Sequence, residues 1–227
     1  MKYDKITKGI FISRPNRFIA NVEIDGINEV CHVKNTGRCK ELLIPGLTTV
    51  YVQKSDNPNR KTKYSLIGVL KDGKKINMDS QVTNKVVYEW ILEGGLFENL
   101  KFIKPEKKYK NSRFDFYIET ESEKAFIEVK SVTLENCGIA KFPDAPTDRG
   151  VKHIRELCEC IDDGYKAYII FVVQMKDVLY FTPNDDTHKE FGDIIRMAYK
   201  KGVEVIAVNC YVDEDSINIC DYVEVRL

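Results

Sequence analysis

Two neighbouring stretches decide the fold: Ser112-Arg-Phe-Asp-Phe-Tyr-Ile-Glu119 and Ala125-Phe-Ile-Glu-Val-Lys-Ser-Val132. Each alternates apolar and polar residues with a period of two, the pattern of a β-strand. Glu121-Ser-Glu123 supplies the turn between them, so they read as a hairpin. The alternation predicts Phe114, Phe116 and Ile118 on one face, and Arg113, Asp115, Tyr117 and Glu119 on the other. On the second strand it puts Glu128 and Lys130 on a common face. An aspartate on one strand therefore faces Glu-x-Lys on the next. Two carboxylates suit a hard divalent cation, Mg2+ or Mn2+, bound through oxygen. A lysine beside them can position water or offset developing negative charge. Phosphodiester hydrolysis uses such a set. Asp115, Glu128 and Lys130 are the candidate catalytic residues, the two acids also being candidate metal ligands. The competing structural reading is a solvated face with a cross-strand ion pair. Glu-x-Lys by itself carries little weight, because Glu106-Lys107-Lys108 repeats it.

Downstream, Thr147 is placed to cap a helix from Asp148 to about Cys160. Arg149, Lys152 and His153 fall at i, i+3 and i+4 on it and share a face. That face reads as a phosphate clamp, or else as a solvated face paired with Glu156 or Asp148. Tyr165 to Val173 is a continuous apolar run, expected as a central buried strand. Asp185 to Lys201 is an amphipathic helix with Phe191, Ile194, Ile195 and Ala198 inward. Val203 to Val208 follows as a buried strand, and Ile217 to Val225 as an edge. Upstream, Thr83-Asn84 is expected to cap a helix through Leu92, stopped by Gly94-Gly95. Glu89 on this helix is a further candidate metal ligand, or a residue of its buried face. Leu100 to Lys110 reads as a basic strand carrying Lys107 and Lys108. The sum is an α/β domain, a mixed sheet flanked by helices.

The first 83 residues read differently. Phe18 to Ile24 and Ile27 to Val33 flank the hairpin signal Asp25-Gly26. Arg38 to Leu43 is expected as a short helix ended by Pro45-Gly46. Leu47 to Gln53, Tyr64 to Leu70 and a strand through Ile76 complete five short strands, fitting a small OB-like β-barrel. The domains are therefore 1–83, an OB-like barrel, and 84–227, the α/β domain. Arg14, Arg17, Lys34 and Arg38 lie among aromatics in the first; Lys107, Lys108, Arg113, Arg149, Lys152 and His153 lie in the second. These ten are candidate nucleic-acid contacts.

The chain has 227 residues, with 35 Lys and Arg against 35 Asp and Glu, so it is no simple polycation. The balance is uneven. Residues 1–84 carry 15 basic and 8 acidic side chains, and the remainder carry 20 and 27. A basic half beside an acidic half fits a phosphate-binding domain joined to a metal-binding one, or equally a chance split across solvated faces. No apolar run is long enough to span a bilayer. The N-terminus lacks a signal-peptide pattern, and seven cysteines do not form a disulfide framework. A cytoplasmic location and no membrane partner are expected. Cys31, His32 and Cys39 lack a fourth zinc ligand at a usual spacing. No glycine-rich phosphate loop appears, and neither haem nor a nucleotide cofactor is expected.

The hairpin with Asp115, Glu128 and Lys130 resembles the PD-(D/E)xK nuclease arrangement. A closer resemblance runs along the whole chain. Arg17-Phe18, Asn21-Val-Glu, Cys31-His32, Asn35-Thr-Gly37 and Pro45-Gly46 resemble the front half of the sugar fermentation stimulation protein A (SfsA) family. Ser112-Arg-Phe-Asp115, Glu128-Val-Lys-Ser-Val-Thr-Leu134, Phe142-Pro-Asp-Ala145, Thr147-x-Arg149-Gly150 and Lys152-His153 resemble its back half. The family often carries Tyr-Lys-Arg-Phe near the first strand, where this chain has Arg14-Pro-Asn-Arg-Phe18. The resemblance implies an OB-like domain, a restriction-endonuclease-like domain and DNA as partner. It also implies a part in regulating sugar (maltose) utilisation genes, and nuclease-type residues at Asp115, Glu128 and Lys130. Two functions follow as expectations: Mg2+-dependent DNA cleavage, or non-catalytic DNA-binding regulation. The oligomeric state stays open, a homodimer among the options.

Overall fold

In the computed structural model, which describes residues 1–227, the N-terminal strands are β1 (Ile6–Asn16), β2 (Ile19–Ile24), β3 (Ile27–Val33), β4 (Thr49–Lys54), β5 (Tyr64–Lys71) and β6 (Lys74–Asn77). Their order is β3-β2-β1-β4-β5-β6, and β3 also pairs in parallel with β5. Five strands thus close into an OB-like barrel, with β6 added to β5. Val22, Val50, Leu66 and Val69 fill the interior and are inaccessible to solvent.

Strand β1 is absent from the sequence reading. Its pairing with β2 shifts register between Phe11 and Ser13 and again before Asn16. Such bulges erase the period of two. The helix expected over Arg38–Leu43 is also absent; the segment forms turns. Cys39 sits at φ 46°, and its carbonyl accepts from the amides of Leu42 and Leu43. A handful of residues ahead of Pro45 cannot offset the cost of helix nucleation.

The second domain opens with α1 (Val82–Leu92) and continues with β7 (Phe102–Tyr109), β8 (Ser112–Glu119), β9 (Lys124–Val132), β10 (Leu134–Asn136) and β11 (Ile139–Phe142). Then come α2 (Asp148–Asp162), β12 (Lys166–Val173), β13 (Tyr180–Pro183), α3 (Asp185–Lys201), β14 (Glu204–Val212) and β15 (Ile217–Val225). The nine strands run in the order β10-β11-β13-β15-β14-β12-β9-β8-β7. Strand β12 is parallel to both β9 and β14 and lies between them. Its alternate residues face two cores. Ile170 and Val172 pack with Val86, Val87 and Ile91 of α1, whereas Ile169, Phe171 and Val173 pack with Ile154, Leu157 and Phe191 of α2 and α3. Fully burying each such side chain contributes about 1.5–3 kcal/mol.

Three expectations need correction. Helix α1 starts after Gln81, so Thr83 lies inside its first turn and donates its hydroxyl to the Ser80 carbonyl. Strand β15 is interior, because β13, too short to show a pattern, pairs with its end. The face assignment on β8 also fails. Phe114 joins Tyr117 and Phe126 on the α2 side, while Phe116 and Ile118 face the α1 side. Strand β8 pairs with β9 from Phe116 to Glu119 only, so the two strands part at Asp115.

Residues 1–3 pack on the second domain. Tyr3 enters the α1-side core, and the Met1 ammonium lies 2.8 Å from Glu89. No helix is long and apolar enough to cross a membrane.

Candidate active site at the domain cleft

The parting of β8 from β9 creates the site. A carboxylate placed there can take the backbone donor that the ladder no longer satisfies. Asp115 does so: its Oδ2 accepts from the Val129 amide at 2.7 Å, and its Oδ1 accepts from Asn84 Nδ2 of α1 at 2.7 Å. Burial and the nearby Glu128 charge push the Asp115 pKa up to about 6. The two hydrogen bonds oppose that rise without cancelling it.

Glu128 sits further down β9 toward α2 and is 3% exposed. Its Oε1 accepts from Lys130 Nζ and meets His153 Nδ1 of α2. Arg149 Nε donates to His153 Nε2 at 3.4 Å, which leaves Nδ1 as the proton-bearing nitrogen toward Glu128. Burial pushes the Glu128 carboxyl up, but His153 and Lys130 outweigh it and hold the group below the usual range. Its second oxygen, Oε2, is buried without any hydrogen-bond partner. Leaving one carboxylate oxygen unpaired in a buried site is costly.

Both acids line a cleft of about 510 Å³ between the domains. Asn35 and Thr36 of the barrel form one wall, and Asn84, Lys130 and Arg149 belong to the other. A divalent cation fits this donor set. It would satisfy Glu128 Oε2 and relieve the repulsion that raises Asp115. No three His, Cys, Asp or Glu side chains converge. Two carboxylates with the remaining positions held by water is an ordinary arrangement for Mg2+.

The other candidates distribute unevenly. Glu89 is engaged by the Met1 ammonium and by Lys85 at 3.9 Å and does not line the cleft, so the structure does not bring it together with Asp115 and Glu128. Of the three α2 residues expected to share a face, only Arg149 lines the cleft. Lys152 is exposed, lies 3.9 Å from Glu156 and stays outside the cleft. His153 is buried against Glu128 rather than free for a phosphate. Arg14 and Lys34 act inside the protein. Arg14 donates to the carbonyls of Asn35 at 2.6 Å, Arg38 at 2.8 Å and Arg17 at 3.0 Å. Lys34 pairs with the buried Asp79 at 2.8 Å. Arg38 and Lys108 are exposed, and Arg113 faces Glu106 at 3.7 Å. Arg17 covers the Phe18 ring at 4.8 Å, and Lys107 covers Tyr117 at 5.3 Å.

The sequence reading missed Asn35, Thr36 and Asn84 as cleft residues. Asn84 carried a signal, as a polar residue beside the apolar face of α1, but a cap explained it equally well. The seven cysteines are all free, five of them buried.

The whole chain has relatives. A family model for the SfsA N-terminal OB domain matches residues 12–78, and one for the sugar fermentation stimulation protein RE domain matches residues 81–216. Proteins named sugar fermentation stimulation protein homolog are 70% identical in Clostridium beijerinckii and 64% identical in Ruminiclostridium cellulolyticum, each over the full length of both chains. The structure of Pyrococcus furiosus SfsA in complex with Ca2+ superposes with a TM-score of 0.89 at 29% identity, covering 100% of this chain and 98% of that one. A barrel and a helix-flanked mixed sheet that enclose Asp115, Glu128 and Lys130, matched by both family models and by full-length relatives, make this chain a member of the sugar fermentation stimulation protein (SfsA) family.

Proposed function

We propose that the chain is a Mg2+- or Mn2+-dependent phosphodiesterase acting on DNA. The observation that carries this reading is the buried, unpartnered Glu128 Oε2 in the same cleft as an aspartate whose ionisation is disfavoured. That pairing leaves a deficit of positive charge where a cation would sit. The structural relative described in complex with Ca2+ adds support, since Ca2+ and Mg2+ are both oxygen-seeking cations.

Asp115 and Glu128 would hold the cation. Bound there, it would lower the pKa of a coordinated water and draw charge from the phosphate oxygens. The chain's own groups do the rest. Val129 N–H and Asn84 fix the Asp115 carboxylate, and His153 fixes that of Glu128, so neither must reorganise. Lys130, between Glu128 and the cleft, orients the attacking water and balances charge on the phosphoryl group. The water oxygen bonds to phosphorus and gives up a proton to solvent, the ester P–O bond breaks, and the departing oxygen takes a proton back from solvent. Arg149 holds the flanking phosphate from the N-terminal turn of α2, where the helix dipole also favours an anion.

The test is cleavage of labelled DNA by wild type and Asp115→Asn, with Mn2+ and with EDTA. Turnover by wild type that EDTA and the substitution both abolish is the expected result. Cleavage retained by Asp115→Asn would overturn the assignment. Tight, salt-sensitive DNA binding without turnover would replace it with the non-catalytic regulator.

A further inference from the structure

The cleft has a wall from the barrel that the metal-centred reading does not explain. The loop Asn35–Arg38 is held rigidly. Arg14 grips two of its carbonyls, and Lys34 and Ser80 tie down its start. Gly37 closes against the second domain, where a Cβ would meet Asp144 Oδ2 at 2.0 Å. Asn35 Oδ1 accepts from the Gly37 amide, leaving its Nδ2 as a donor available to the cleft that it lines. The hydroxyl-bearing Thr36 is exposed beside it.

The same Arg14 guanidinium holds the Arg17 carbonyl, and the Phe18 carbonyl accepts from the Val33 amide at 2.8 Å. Phe18 is thereby fixed opposite Val33 at the end of the β2–β3 ladder, two residues before the cleft residue Asn35. Its ring is 46% exposed with Arg17 over it. Arg17 and Arg38, whose carbonyls share the Arg14 guanidinium, are both exposed, so this surface beside Asn35 is cationic. An exposed aromatic flanked by guanidinium groups offers a stacking platform, and only a base out of its duplex stack has a free face to offer it.

We propose that the cleft takes single-stranded nucleic acid, with an unpaired base stacked on Phe18 and the adjoining phosphate on the Asn35–Arg38 loop. This rests on the nucleic-acid reading above and names the form of its substrate. Depth favours the same answer: the carboxylates lie between walls from two domains, and Glu128 is nearly inaccessible. A flexible strand can enter there, whereas a stacked duplex keeps its bases from the platform.

The experiment is fluorescence anisotropy in EDTA at low salt, with the full chain, a fluorescein-labelled 12-nucleotide strand and a hairpin duplex of the same sequence. Wild type is expected to bind the single strand at least tenfold more tightly. Phe18→Ala should lose about tenfold on the strand and nothing on the hairpin. Phe18→Leu, which keeps the apolar bulk without the π-face, should behave like Phe18→Ala, and Phe18→Trp like wild type. Equal affinity for strand and hairpin, or a Phe18→Leu protein that binds like wild type, would overturn the proposal. Because cation and cleavage are absent from the assay, strand preference without later turnover would sink only the catalytic reading. No binding to either probe would overturn this proposal and leave the catalytic reading to its own cleavage test with Mn2+.

Discussion

Asp79, at the junction of the domains, and Glu128, in the cleft, are nearly equal in burial and opposite in use. Asp79 is 2% exposed and Glu128 3%. Each has a lysine beside it, Lys34 in one case and Lys130 in the other. At Asp79 both oxygens are satisfied: Oδ2 by Lys34 at 2.8 Å and Oδ1 by the Gln81 amide at 3.0 Å. Gln174, fully buried, donates to the Asp79 carbonyl and to Asn77 Oδ1, extending the network. At Glu128 two donors crowd Oε1 and Oε2 has none. A buried carboxylate with both oxygens answered holds structure together. One with an oxygen left over, beside a second acid, is what the proposed cation site requires.

The largest effect should come from breaking the satisfied site. Asp79→Asn leaves Lys34 without its counter-charge and should cost about 3 kcal/mol, read by urea denaturation at pH 7.5. Metal affinity should be unchanged. Asp115→Asn should move stability the other way. The folded state raises the Asp115 pKa to about 6, so its ionised form is disfavoured by folding. The resulting loss of stability enters as pH rises from about 4 to about 6 and is complete above that. Removing the charge should therefore stabilise the protein by about 1–2 kcal/mol at pH 7.5 and flatten its stability profile over that window. Two neutralisations of the same sign with opposite outcomes would establish the contrast. Destabilisation by both would dissolve it.

The same protonation competes with a cation. Divalent-metal affinity should fall about tenfold per pH unit below 6 and level off above it, measured by calorimetry from pH 5 to 8. Gly37→Ala sharpens the comparison at the seam between the two regions. Its Cβ collides with the Asp144 carboxylate, the movable end of a side chain, so about 1 kcal/mol is expected. Weaker nucleic-acid binding should accompany it, detected by anisotropy. Smallest of all, Lys152→Ala should change stability by less than about 0.5 kcal/mol and leave binding intact, because its contact with Glu156 is long and its side chain exposed.

The contrast also explains what was legible in the sequence. Strand β9 and helices α2 and α3 announced themselves because each repeats one period over eight residues or more, and β12 because it is an unbroken apolar run. Asp115, Glu128 and Lys130, the candidates that the structure brings to one cleft, stood out as polar positions on β8 and β9. Strands β1 and β13, and the faces of β8, were harder. Bulges shift the register of β1, β8 breaks its alternation where it leaves β9, and β13 is four residues long. Individual cations were the least legible. Arg14, Lys34 and Arg38 look alike in a basic stretch, yet three carbonyls claim the first, a buried acid claims the second, and the third is exposed. Those partners lie 3 to 45 residues away along the chain, and no local pattern encodes them.

The account stands on a cation held by Asp115 and Glu128. Isothermal titration of Mn2+ into wild type and Asp115→Asn at pH 7.5 tests that most directly. One site per chain in wild type, with no heat of binding in Asp115→Asn, is the predicted result. Equal binding by both proteins, or none by wild type, would contradict it.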